Sequence, residues 1–302
     1  MPYPPLPAAP PSDIHRLPHG LRTLIEANHE KGLYWDDSIN PQKGCDPVST
    51  GCTNCFMLDA VKKRYSKMPG SPYFGSDGSA MFFPKELDKL RDDFDPKRYF
   101  SPIMGDPYHE DFNDETVALY HEALRQAPYH WIYSFTKRSE RLAEVGREIE
   151  WGPHICSVVS VENEDYLYRI ADQWEAGALR NGVSFEPVVG EIRDTPELRR
   201  LLSPPGGRPL DIMFIGGEST KNDNIRPMRE AWARTLIRVG LELNVPVFFK
   251  QVGDVDFDGR RVGAKKAGRV IDGRTYDALP RGCVDHLVRA PYIAEAARRR
   301  SR

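Results

Sequence analysis

Sulfur is scarce in this chain and unevenly placed. Only five cysteines occur in 302 residues, and three of them, Cys45, Cys52 and Cys55, fall within eleven positions of one segment. So few thiols exclude a secreted disulfide scaffold, which is a device of chains too short to build a core. Long apolar runs are missing too. None approaches the roughly 20 residues that cross a bilayer, so no membrane partner is expected. Nor is there an excess of one charge sign. Lys and Arg total 42 against 44 Asp and Glu, a formal net charge of -2, which argues against coating nucleic acid by bulk charge. No G-x-G-x-x-G turn follows the first expected strand, which weakens a dinucleotide-binding doubly wound sheet. The opening MPYPPLPAAPPS has neither the basic n-region nor the apolar h-region of a signal peptide. Together these absences lead us to expect a cytoplasmic, reducing setting, where thiolate–metal sites persist.

What is present reads as an ordinary globular composition, 40% apolar and 28% charged. Six prolines in the first eleven positions predict an extended N-terminal arm over 1–30. From there short β-branched or aromatic runs alternate with helical stretches. Eight runs read as strands: GLYWD (32–36), SAMFF (79–83), YFSPIM (99–104), HWIYSF (130–135), HICSVVSV (154–161), GVSFEPV (182–188), DIMFIGG (211–217) and VPVFFK (245–250). Helices are expected over 114–127, 163–177 and 226–243, the last with Met228, Trp232, Leu236 and Val239 on one side and Pro227 in its first turn. Such alternation means an α/β fold with a parallel sheet under helices. Eight units fit a (β/α)8 TIM-like barrel, closed or partly open, over 31–255. Residues 256–302 read as a C-terminal extension of glycine-punctuated hairpins ending in a fraying basic tail.

The polar residues cluster where strands end, which in α/β barrels is where chemistry sits. GCDPVSTGCTNCF carries Cys-x6-Cys-x2-Cys. Cys-x2-Cys lets two sulfurs share one metal or one cluster. Three thiolates suit a [4Fe–4S] cluster with one iron left free for a small molecule. The competing readings are a zinc site completed by His109 or Cys156, and unliganded thiols. In FIGGEST, Gly216 and Gly217 expose backbone N–H groups to an anion, and Glu218 accepts from an amine or a hydroxyl. The bland reading there is a tight turn with an acidic helix start. Lys137 ends a strand and could hold a carboxylate. Ser160, Glu162 and Glu186 are polar positions in apolar strands, and a buried charge must be paired or functional. Lys250, in VFFKQVGD, is a partner for Glu186 or a closure of the mouth. Asp106, His109, Glu110 and Asp111 could bind a divalent ion by residue type, although their spacing matches no helical metal motif, and His109 could donate a proton. Cys156, in an apolar strand, reads as core, and Cys283 as incidental.

DDSINPQKGCDPVSTGCTNCF, MGDPYHEDFNDE, TKRSER, SVEN, FIGGEST and VPVFFKQVGD, in this order over about residues 33–280, resemble a phage-associated family. It was long filed as a domain of unknown function and is related to radical S-adenosylmethionine (SAM) enzymes. The resemblance implies a barrel with a [4Fe–4S] cluster on Cys45, Cys52 and Cys55. It implies SAM cleaved by an electron from an external donor, and hydrogen abstraction from a substrate. It places the protein in the host cytoplasm if phage-encoded and points to a modified nucleobase in phage DNA, a DNA or nucleotide substrate. The first cysteine gap is six residues here, against three in the common radical SAM pattern. GGES follows the seventh expected strand, not the second, so Gly216, Gly217 and Glu218 are assigned to the site by position only. With Lys137, Ser160, Glu162 and Asp106 they are the expected cofactor contacts; Glu186, His109 and Lys250 are the expected catalytic groups. Arg260, Arg261, Lys265, Lys266 and Arg269 would suit a phosphate backbone. The alternatives from other classes are a zinc-dependent hydrolase or nuclease, and a non-catalytic nucleic-acid-binding protein with a structural metal.

Overall fold

Along a strand, side chains point alternately to the two faces of its sheet, and in this chain the two sets are chemically different. In the strand Trp131–Thr136, Trp131, Tyr133 and Phe135 join one core cluster, while Ile132 joins another. The pattern repeats with Cys156 and Val158 against Ile155 and Val159, and with Ile212 and Phe214 against Met213 and Ile215. Both faces are therefore buried, as a parallel sheet between helices and an interior requires.

In the computed structural model, which describes residues 3–10 and 12–300, one seven-stranded parallel sheet runs in chain order. Its strands are β1 (Asp37–Ser38), β2 (Arg98–Ser101), β3 (Trp131–Thr136), β4 (Ile155–Ser160), β5 (Arg180–Phe185), β6 (Ile212–Gly216) and β7 (Val247–Gln251). The sheet curls, and the proof is a single ring. Tyr34 lies 3.9 Å from Phe214 of β6, 5.5 Å from Phe248 of β7, 5.9 Å from Phe135 of β3 and 6.1 Å from Phe100 of β2, centroid to centroid. Only an α/β sheet wrapped into a TIM-like half-barrel brings four strands to one side chain.

Seven strands form this sheet, not eight. In SAMFF, only Met81–Phe82 are extended, and they pair antiparallel with Gln42–Lys43 as a separate ribbon beside the cysteine segment. GLYWD is not a strand; the first strand begins just after it, at Asp37. Nor does β7 pair with β1. The gap is spanned by the C-terminal extension. Val252 donates to the Gly268 carbonyl and Phe249 to that of Tyr276. Arg269 reaches the carbonyls of Phe249 (3.0 Å) and His29 (2.8 Å) and pairs with Asp277. Arg269 is thus a seam residue. Arg260 pairs with Asp256 and Asp258, and Arg261 with Asp223, so acidic side chains flank these two of the residues expected to meet a phosphate backbone.

The expected helix over 226–243 is Glu230–Glu242, and Pro227 lies before it. The expected basic tail is instead ordered: Cys283–Arg300 is an 18-residue helix. Its Cys283, Val284 and Leu287, with Leu17 and Ile25 from the N-terminal side, plug the inner cluster from below. Cys283 is therefore a core residue, as is Cys156. The expected arm over 1–30 is extended only in its proline-rich first part, which is tied down; Ile14–Arg16 is a 3-10 turn and His19–Glu30 is a helix. Leu6 is buried, its N–H donates to Asp272, and the carbonyls of Leu6 and Pro7 accept from Arg274. Met1, Pro2 and Pro11 lie outside the described residues, as do Ser301 and Arg302 of the expected tail. No helix among the described residues is long and apolar enough to cross a membrane.

Beneath the sheet, Asp36 and Arg98 form a fully buried ion pair at 2.7 Å, with Asn28 and His29 as further partners. Burial, and then Arg98, push His29 down to about 3. Burial likewise lowers His121 to about 3 and His130 and His286 to about 4, and it lowers His154. Each imidazole is neutral in the fold but takes a proton in the unfolded chain below about pH 6.5. Stability present above that pH must fall as pH drops from 6.5 towards 4. By pH 5.5 the loss is roughly 1 kcal/mol for each fully buried imidazole. Urea unfolding between pH 8 and 5 tests this. A midpoint that declines from near pH 6.5, well before ordinary carboxylates titrate, is expected, and a flat profile down to pH 5 would contradict it.

Candidate active site

The chemistry-bearing positions follow from the same alternation. Continuing the inward set past each strand end gives Ser160 and Glu162, Ser184 and Glu186, Gly216 and Glu218, and Lys250. These ends surround a cavity of about 540 Å³. Its wall includes all three clustered cysteines with Asp106, Lys137, Ser160, Glu186, Gly217, Glu218 and Lys250. Of the expected site residues, Glu162 and Gly216 lie directly behind the wall and His109 off to one side.

The cysteine segment is shaped by close packing. Gly44 has φ +88°, and a Cβ there would sit 2.0 Å from the Ser79 carbonyl oxygen, so only glycine fits. Residues Thr50–Cys52 make a 3-10 turn, Cys55 N–H donates to the Cys52 carbonyl at 3.1 Å, and the helix Phe56–Lys63 starts at once. Cys-x2-Cys is therefore one tight turn capped by a helix. None of the three thiols is in a disulfide. Burial, then the Asp106 carboxylate, push Cys45 up to about 12. That thiol must shed its proton on binding a metal, which makes loading favour higher pH.

Four grips hold the segment against the strand ends. Ser49 donates to Glu162 at 2.8 Å, and Thr50 N–H donates to the Tyr166 hydroxyl at 2.9 Å. Arg226 reaches the Thr50 carbonyl at 2.6 Å. Asn54 donates to Glu218 at 2.9 Å and to the Asn224 carbonyl at 3.1 Å. Glu162 is fully buried and is also held by Arg169 at 3.0 Å and Lys137 at 3.5 Å. Gly51 presses on it so closely that a Cβ would lie 2.4 Å from Oε1. Burial pushes the Glu218 carboxyl upward, but Arg226 and Asn54 win and hold it below its usual range.

Other expected residues have their hydrogen bonds assigned. Asp106 accepts from Thr136 Oγ1 (2.7 Å), Lys137 N–H (2.9 Å) and Tyr108 N–H (3.0 Å), fixing the end of β3. Glu186 accepts from the Tyr34 hydroxyl at 3.0 Å and Ser184 at 3.2 Å, and pairs with Lys250 at 3.1 Å. Lys250 lies over the rings of Tyr34 and Trp35. The glycines serve packing: a Cβ on Gly216 would meet Glu186 Oε1 at 2.7 Å, and one on Gly217 the Val252 carbonyl oxygen at 1.8 Å. A register shift between Ile215 and Gly216 turns the chain there. His109 accepts from Asp111 N–H at Nδ1 and directs Nε2 to Asp46 at 3.4 Å. Among the described residues, Asp46, His109 and Glu110 are a group of ligand-type atoms within 4.8 Å of one another, but Glu110 is also bound to Arg138 at 2.8 Å. Of the divalent-ion set expected from residue type, His109 and Glu110 belong to this group, while Asp106 and Asp111 do not.

Sequence reasoning missed Tyr34, Trp35, Phe100 and Phe135, which form an aromatic floor, and Arg226 and Asn54, which lock Glu218. The alternation of β2 and β3 could have shown Phe100 and Phe135 facing inward with Tyr133. Nothing local marks Arg226 as the partner of a carboxylate eight residues earlier.

Residues 30–280 match the model of a family described as "Protein of unknown function (DUF5131)", and the chain belongs to that family. None of the curated proteins matches it. Two solved structures that resemble it are a spore photoproduct lyase complexed with dinucleoside spore photoproduct and a double mutant of that lyase with bound AdoMet and dinucleoside spore photoproduct. The first is 13% identical with a TM-score of 0.40, the match covering 66% of this chain and 59% of that one. The second is 14% identical with a TM-score of 0.38, covering 67% and 60%.

The contact at Gly51 gives a direct test of the cysteine segment. Gly51→Ala forces Glu162 or the loop to move, at a cost of about 1–3 kcal/mol, and, if the three cysteines hold a metal, should lower bound metal per chain. Gly20→Ala, with nothing within 4 Å of the new Cβ, should be neutral or stabilising by up to about 1 kcal/mol. Metal analysis beside thermal unfolding reads both. Unchanged metal and midpoint in Gly51→Ala would show that the grip of Glu162 on the loop is unimportant.

Proposed function

We propose that this chain is a radical SAM enzyme whose [4Fe–4S] cluster is held by Cys45, Cys52 and Cys55. The observation that carries the reading is a three-thiol cavity wall with no spare fourth ligand among the described residues. No histidine and no further cysteine of that set lines it. Its carboxylates each hold partners already, Asp106 at the end of β3, Glu186 with Tyr34 and Lys250, and Glu218 with Arg226 and Asn54, which sets them against binding a metal but leaves lone pairs for a ligand's donors. Zinc at about 2.3 Å from each sulfur would draw thiolates to about 3.8 Å of one another. A three-thiolate loop with one coordination position left open is what a [4Fe–4S] cluster takes, and elemental analysis separates it from zinc. Once bound, the cluster supplies the electron, delivered by an external donor, that splits SAM to methionine and a 5′-deoxyadenosyl radical for hydrogen abstraction.

The chain's own groups then have defined tasks. Lys137 and the Ser160 hydroxyl, side by side at the ends of β3 and β4, meet the polar end of SAM. Glu218, with its neighbouring Gly217 backbone, takes donors from SAM or substrate. Trp35, Phe100 and Phe135 offer ring faces to a planar substrate and keep water from the reacting atoms. The Glu186–Lys250 pair presents an acceptor and a donor at the far side of that floor. Such a floor with one donor–acceptor pair suits a nucleobase, and a modified nucleobase in phage DNA is our substrate class. Isomerase, lyase and transferase outcomes all begin with the same hydrogen abstraction. A zinc hydrolase built on Asp46, His109 and Glu110 is disfavoured because Arg138 competes for Glu110.

Anaerobic protein given SAM and dithionite should form 5′-deoxyadenosine, and Cys52→Ala should abolish it. A fully iron-loaded wild-type protein that leaves SAM intact would refute the proposal.

A further inference from the structure

A second cavity, of about 340 Å³, adjoins the first and shares Val48, Lys137 and Arg138 with it. Four basic side chains line it, Lys137, Arg138, Arg141 and Arg169, against two acidic ones, Glu110 and Glu140; Lys137 and Arg169 are paired with the buried Glu162, and Arg141 with the exposed carboxylates of Asp114 and Glu144, which an anion would have to displace. Two of these guanidinium groups are buried and only partly used. The Arg138 side chain is 5% exposed; Nε binds Glu110, while Nη1 has no partner among the described residues. The Arg169 side chain is 1% exposed; Nη1 serves Glu162 and the Ser160 carbonyl, while Nε has no partner among those residues. The eight-residue helix Ser139–Gly146 begins in this cavity, and no described side chain caps its N-terminus. Those two nitrogens lie within the wall rather than on the cavity surface, and it is the helix start beside guanidinium groups that is a ready receptor for a tetrahedral oxyanion.

The first cavity supplies the reason for a second. Its volume falls in the range of about 300–1,000 Å³ that one small-molecule ligand fills, yet it must hold a cluster, SAM and the reacting end of a substrate. The rest of any sizeable substrate lies outside it. We propose that the second cavity binds a phosphate group of that substrate, on the N-terminus of Ser139–Gly146 with Arg138 and Arg141. The link to a substrate rests on the radical SAM reading; the anion site itself does not.

The test uses the full chain and inorganic phosphate. Thermal unfolding is followed against phosphate concentration at constant ionic strength, with chloride as the control. Phosphate should raise the midpoint beyond chloride. Arg141→Gln, at a 29% exposed side chain, should raise the half-effective concentration by about threefold or more. Glu140→Gln, which removes a like charge from the cavity, should lower it by a similar factor. A 5′-mononucleotide should stabilise at lower concentration than phosphate, and its nucleoside should not. No phosphate-specific rise, or a rise that both variants leave unchanged, would overturn the site. The titration needs no SAM cleavage. Loss of phosphate binding with 5′-deoxyadenosine still formed sinks only this proposal. Phosphate binding without SAM cleavage keeps the anion site and sinks the reading of its neighbour.

Discussion

The site hangs on a carboxylate removed from water. Glu162 is fully buried, and an isolated buried charge of that kind would be strongly destabilising. It is tolerated because Arg169 and Lys137 bring opposite charge and Ser49 brings a hydroxyl. Of these partners, Lys137 ends β3, Ser49 belongs to the cysteine segment, and Arg169 belongs to the helix Tyr168–Glu175. One anion therefore fastens the sheet, a helix and the cysteine segment together. Removing either side of such a pair leaves the other uncompensated, a loss of about 3–5 kcal/mol. That penalty keeps an otherwise irregular loop in one conformation over the cavity.

Glu186, at the end of the neighbouring strand β5, does for the sheet what Glu162 does under the loop. It joins Tyr34, the ring about which the sheet curls, to Lys250 at the end of the last strand. The sheet is open between β7 and β1, so these contacts and Arg269 supply the cohesion that strand pairing supplies in a closed barrel. An open seam leaves room for the extension 268–278 and for the N-terminal side of the chain to complete the wall. The aromatic floor and the polar rim are thus products of one constraint: the inward face must be apolar in its depth and polar only where the strands end.

Much of this was legible in the sequence because it depends on local pattern. Alternation in HWIYSF, HICSVVSV and DIMFIGG gives strands with two distinct faces, and the polar residue closing each run lands on the cavity or behind it. The cysteine spacing gives a tight metal-type turn. What was not legible depends on contacts between distant segments. SAMFF has strand propensity, but its partner is Gln42–Lys43, and no local signal separates a ribbon from a barrel strand. Gly216 and Gly217 look like an anion cradle, yet their lack of a side chain is required by Glu186 and the Val252 carbonyl. The basic run in the C-terminal extension looks like a phosphate surface, yet Arg269 is consumed by the seam. The helix Cys283–Arg300 was hidden by its polar, arginine-rich end, since its apolar contacts come from its first turns.

The central claim is a three-cysteine iron centre with one open position, and electron paramagnetic resonance tests it most directly. Anaerobically purified protein, carrying about four irons per chain, would be reduced and its spectrum recorded with and without SAM labelled with ¹⁵N and ¹⁷O in its methionine part. A reduced-cluster signal that shifts on adding SAM and acquires couplings to the labelled nitrogen and oxygen is the predicted result. One zinc per chain with no cluster signal, or a cluster signal that SAM leaves untouched, would contradict the account.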